Sequence, residues 1–158
     1  MKHSQIILLM LLVLGPAFAI PSSAYASGGD WQTTVSTDPD VDRAKTAIKG
    51  KEWEKAIELL GKALSRDPQN ADIHNMLGFA ERNRGNLTAA FKHYETALSI
   101  NPKHRGAHEY IGEAYLMSGN LPKAEEHLAK LDKLCFFSCE EYRDLKAAVA
   151  KYKQEHPN

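Results

Sequence analysis

Two stretches of this chain align without a gap at a spacing of 34 residues. ADIHNMLGFAERNRGNLTAAFKHYETALSINPKH runs from Ala71 to His104, and RGAHEYIGEAYLMSGNLPKAEEHLAKLDKLCFFS from Arg105 to Ser138. The register is carried by His74/His108, Leu77/Ile111, Gly78/Gly112, Gly85/Gly119, Asn86/Asn120, Leu87/Leu121, Ala90/Ala124 and His93/His127. A third copy lies upstream, where Trp53, Ala56, Leu60, Ala63 and Pro68 fall at the positions of Leu87, Ala90, Tyr94, Ala97 and Pro102. A unit of this length exposes an apolar face that only a neighbouring unit can bury, so the copies are expected to stack.

The residue types say what each copy does. Gly85-Asn86 and Gly119-Asn120 end one helix and open the next, because glycine accepts the left-handed turn and asparagine satisfies free amides. Gly78 and Gly112 lie on the first helix of each pair, where a side chain would hold the second helix away; Ala90, Ala97 and Ala124 meet it from the other side. Pro68 and Pro102 close each second helix. This pattern resembles the tetratricopeptide repeat family, a helix–turn–helix of this period with small residues at fixed positions and a closing proline. The resemblance covers about Asp38 to Ser138. It implies an all-α, right-handed superhelical solenoid with repeats at 38–70, 71–104 and 105–138.

The ends are built differently. Asp38-Pro39 reads as an N-cap with proline at the first helical position, opening a polar helix over about Pro39 to Lys49. Ser138-Cys139-Glu140-Glu141 fits an S-x-x-E capping box. Cys139, Tyr142, Leu145, Val149 and Tyr152 then share one face of a capping helix over 139–155. Seven helices are expected.

Before the repeats, Lys2 and the apolar run Ile6 to Gly15 precede two A-x-A sites, Ala17-Phe18-Ala19 and Ala24-Tyr25-Ala26. This is the layout of a secretory signal peptide over 1–26, with cleavage after Ala26 favoured over Ala19 because of Pro21; an uncleaved anchor is the alternative. A leader rich in Ser, Thr and Gly follows over 27–37. The expected compartment is the bacterial periplasm, or the outside of the cell. The chain carries 20 basic and 20 acidic residues. That balance gives no reason to expect nucleic acid or a membrane surface as partner.

Cys135 and Cys139, the only cysteines, bracket the turn where Phe136 replaces the proline of the earlier copies. In an oxidising compartment a bridge between them is expected, fixing that turn. The alternative is a metal- or redox-handling accessory role. C-x-x-x-C puts two thiolates within reach of one ion, and His104-x3-His108 with Glu109 or Glu113 could add ligands. Against it, His74/His108 and His93/His127 are one repeat position seen twice, and His104 fits a helix cap. No G-x-S-x-G, phosphate loop, H-E-x-x-H or C-x-x-C occurs. No cofactor and no catalysis are expected.

The resemblance also implies a concave groove lined by the first helices, where extended peptides bind. Carried over residue by residue, it comprises Lys45 and Lys49, then Asn75, Phe79, Arg82 and Asn83, then Glu109, Glu113, Leu116 and Met117. Phe79, Leu116 and Met117 are the apolar anchors of this reading. Positions where some members hold a peptide's terminal carboxylate carry Met76, Gly106 and Tyr110, so that clamp is missing. The expected function is a non-enzymatic adaptor for a polypeptide partner, with self-association through the repeat ends or the capping helix left open.

Overall fold

The computed structural model describes residues 38–157, and the signal segment and leader expected over 1–37 lie outside the described residues. Within them are seven helices and no strand: α1 (Pro39–Lys49), α2 (Trp53–Arg66), α3 (Ala71–Asn83), α4 (Leu87–Ile100), α5 (Arg105–Met117), α6 (Leu121–Leu134) and α7 (Glu140–Glu155). Each odd helix pairs with the next even one, and each even helix packs on the following odd one. Along the inner face α3 touches α5, and α5 touches α7. The result is an all-α solenoid of three helix pairs closed by α7. No helix here is long and apolar enough to cross a membrane.

The turn chemistry acts as its residues dictate. Gly85 and Gly119 take φ of +93° and +78°, and Asn86 and Asn120 accept from the backbone N–H of Ala89 and Lys123. In the first pair the left-handed residue is Lys51, φ +57°, and not its neighbour Gly50. Lys51 holds the register position of the two glycines, so the repeat geometry prevails over local preference. Asp38 caps α1 through Asp40 N–H, and Arg66 clamps the same carboxylate from α2 at 2.8 and 2.9 Å.

Packing is closest where the small residues recur. Ala44, Ala56, Ala63, Ala90, Ala97 and Ala124 are fully buried. A Cβ on Gly78 would lie 2.5 Å from the ring of Tyr94 on α4. Tyr94 is itself fully buried and has nowhere to move. Gly78→Ala is therefore expected to cost about 2 kcal/mol, despite the roughly 1 kcal/mol that alanine contributes to helix propensity. Urea unfolding checks this, and a variant as stable as the parent would show that α3 and α4 can separate freely. Gly112 departs from the expectation: the atom its Cβ would meet, at 2.6 Å, belongs to Leu145 of α7 and not to its own partner α6. The last helix thus occupies the space a further repeat would use.

The capping box expected at Ser138 does not form. The N-cap of α7 is Cys139, which makes no side-chain capping bond. Ser138 has φ of +54°, and Glu141 is buried beside Arg105 at 3.4 Å. The physical reason is the Cys135–Cys139 bridge, Cα–Cα 5.4 Å. It draws the turn into a closed loop and moves the helix start one residue beyond the register of Asn70 and His104.

Candidate functional site

The inner face between α3, α5 and α7 bears an open hollow of about 390 Å³ lined by Arg82, Asn83, Glu113, Leu116, Met117 and Ala148. Five of the expected groove residues are thereby brought together. The remaining ones go elsewhere. Lys45 and Lys49 lie on α1, Lys45 half-buried 3.8 Å from Asp42 and Lys49 exposed. Asn75 and Glu109 are buried, at 3 % and 0 % exposure.

Phe79 is not an open anchor. Its ring is only 8 % exposed, held between Trp53 at 6.1 Å and Tyr110 at 4.9 Å between centroids. The Arg82 guanidinium lies 5.4 Å and 5.2 Å from the Phe79 and Tyr110 rings. It makes an ion pair with Glu113 across 31 residues of sequence. Leu116 is mostly covered, whereas Met117 is 59 % exposed and is the apolar group the cavity offers to solvent. Asn83 donates through its amide to the Phe79 carbonyl at 2.8 Å.

Ala148 was not anticipated, nor was the adjoining cavity of about 410 Å³ in which Met117 meets Lys151, Tyr152 and His156. α7 reads in the sequence as a lid for the core. Its apolar spacing, equal to that of a first helix, was the available signal that it would also form the groove wall.

The electrostatics of this face centre on Glu109. Neither carboxyl oxygen has a hydrogen-bond partner. Burial, reinforced by Glu113, Asp144 and Glu141 and opposed by Arg82, pushes its pKa up to about 9. The carboxyl is therefore neutral at physiological pH.

The histidines form two equivalent pairs joining the helices of a repeat. His74 Nδ1 is 3.2 Å from His93 Nδ1, and His108 Nδ1 is 2.9 Å from His127 Nδ1. The outer nitrogens of His74 and His108 donate to the carbonyls of Pro68 and Pro102. That leaves the shared Nδ1 contact to a single proton, donated by the partner histidine. Burial lowers the pKa of His93, His108 and His127, the last to about 4.

His104 caps α5 by accepting from Ala107 N–H, and its other nitrogen donates to Asp72 at 2.9 Å. His104 and His108 thus face different partners, and both cysteines are engaged in the bridge. The ligands invoked for a metal-handling role do not converge: no group of three His, Cys, Asp or Glu side chains suited to an ion occurs among the described residues.

Two profiles described as tetratricopeptide repeat match the sequence, over residues 41–104 and 82–149. No curated protein matches it. Among solved structures, the Sgt2 TPR domain from Aspergillus fumigatus shares 24 % identity over 77 % of this chain and 80 % of its own, TM-score 0.67. The Yersinia enterocolitica type III secretion chaperone SycD, in complex with a peptide of the translocator YopD, shares 18 % over 73 % and 88 %, TM-score 0.63. The first TPR of Spaghetti (RPAP3), bound to an HSP90 peptide, shares 17 % over 71 % and 89 %, TM-score 0.63.

Proposed function

We propose, on the premise that this chain belongs to the tetratricopeptide repeat family, that it is an exported, non-enzymatic interaction module holding a polypeptide segment along its inner face. The observation that carries this reading is the groove of Arg82, Asn83, Glu113, Leu116 and Met117, with the large apolar side chain of Met117 left open in its lining. Two structures of similar fold are seen with peptides, one from YopD and one from HSP90. Met76 and Tyr110 are fully buried. An extended segment would therefore be held by an apolar residue against Met117, with polar contacts to Asn83 and Glu113, and not by its terminal carboxylate.

Export to the periplasm is part of the proposal. It is supported by the N-terminal pattern of a charged start, an apolar run and small residues, and by the Cys135–Cys139 bridge, a bond that an oxidising compartment sustains.

The test is a peptide-display selection on the intact chain, with the selected peptides then measured against Met117→Glu. Met117 is exposed, so the variant should keep its fold. Affinity is expected to fall at least about tenfold, equivalent to roughly 1.4 kcal/mol. Selected peptides that bind the variant as well as the parent would remove the groove from the account.

A further inference from the structure

His74 on α3 and His93 on α4 join the two helices of the second repeat through like atoms. Their Nδ1 nitrogens are 3.2 Å apart and their ring centroids 5.5 Å apart. The Nε2 of His74 donates to the Pro68 carbonyl, so its proton sits on the outer nitrogen and its inner lone pair faces His93. Metal-ligating imidazoles are held in this way, the outer N–H on a carbonyl or carboxylate and the other nitrogen towards the ion.

Two imidazole nitrogens bound to one ion at about 2.0–2.1 Å, at angles between square and tetrahedral, stand about 2.9–3.4 Å apart. The observed separation falls within that span. His74 is buried and His93 half-buried, so the pair is packed on one side and reachable from water on the other. We propose that His74 and His93 form a two-imidazole seat for an exchangeable divalent transition ion such as zinc, with water completing its shell. Cys135, Cys139 and His104 take no part in it. Two protein ligands suit an ion that comes and goes, whereas a resident structural zinc takes four.

Occupation exchanges a proton for the ion at His93. In the free pair His93 Nδ1–H donates to His74; when the ion takes both lone pairs, that proton passes through solvent to His93 Nε2 and the ring stays neutral. The ion gives up two of its waters, and no net proton is released. Burial already holds His93 below the usual imidazole range, so at neutral pH protonation does not compete with the ion. Glu81 favours positive charge at His93, while Lys92 opposes it. The pair His108–His127 repeats the contact at 2.9 Å, again with the outer nitrogen of the first ring on a proline carbonyl. Both of its rings are buried and Lys130 opposes positive charge at each, so it should fill later. Imidazole suits zinc and copper, whereas magnesium takes oxygen ligands.

Titration of zinc ions alone into the chain as its host processes it, without reductant and followed by the imidazole nitrogen resonances, tests the seat. His93 Nδ1 should lose its proton and Nε2 gain one, saturably and ahead of any change at His127, while magnesium leaves both resonances in place. His93→Asn keeps an amide donor towards His74 and should weaken zinc uptake at least about tenfold, with helical circular dichroism unchanged. Should that variant unfold, the parent's resonances decide by themselves. Zinc uptake undiminished in a folded His93→Asn, or shifts confined to His104 or His156, would make the binding an adventitious surface event and overturn the proposal. So would a His93 ring that keeps its Nδ1 proton at millimolar zinc.

Discussion

Replacing Glu109 by glutamine is expected to stabilise this protein at neutral and alkaline pH and to flatten its stability between pH 5 and 9. The carboxyl is fully buried without a hydrogen-bond partner, and its pKa is raised from 4.5 to about 9. Below pH 4.5 native and unfolded chains both hold the proton, so nothing is lost. As pH rises from 4.5 towards 9 the unfolded chain releases its proton while the native chain keeps it, and stability falls by up to about 1.4 kcal/mol per unit. At pH 8 the glutamine variant should then be more stable by on the order of 3 kcal/mol, a large share of a typical total.

The paired histidines supply the opposite slope. His93, His108 and His127 have depressed pKa values, so the unfolded chain takes up protons that the native pairs refuse. Their contribution is complete above about pH 6.5 and is lost as pH falls towards 4. Maximum stability of the parent should lie between about pH 4.5 and 6.5, and that of Glu109→Gln above it. Urea midpoints from pH 4 to 9 decide the matter. Parallel profiles for parent and variant would mean that Glu109 finds solvent or a partner in solution.

The periodic part of this structure was legible because the repeat reports on itself. Gly85 and Gly119 adopt the left-handed turn that their position demands, and the same register explains Lys51, which local preference alone would have passed over in favour of Gly50. What the period cannot show is contact between non-equivalent positions of successive repeats. Arg82 and Glu113 occupy different places in their units, and their ion pair breaks the symmetry on which the alignment rests. Phe79 was read as an open anchor because its place faces the groove; Trp53 and Tyr110, contributed by the flanking repeats, close over it. Ser138 fits a capping pattern that the neighbouring bridge overrides. The groove itself was half legible: its first-helix residues follow from the register, while α7 enters as a wall only through the packing of Leu145 against Gly112.

Arg82→Ala should be the most damaging change on the inner face, costing about 3–5 kcal/mol. The side chain is 8 % exposed and paired with Glu113, it lies over two aromatic rings, and it reaches the Tyr110 carbonyl at 3.5 Å. Truncation leaves the Glu113 carboxylate without its cation and opens space between α3 and α5. It also removes the positive charge that opposes protonation of Glu109, so the loss of stability with rising pH should continue further into the alkaline range at the same slope. Replacing the pair together, as Arg82→Met with Glu113→Leu, should recover most of the cost, because apolar groups of similar volume need no counter-charge. Urea titrations of the single and paired variants separate the two contributions, and a loss below about 1 kcal/mol for Arg82→Ala would place the ion pair in solvent. A loss of peptide binding in Arg82→Ala would consequently report on the fold as much as on the groove. Met117, exposed and unburdened by packing, is the position at which recognition can be altered alone.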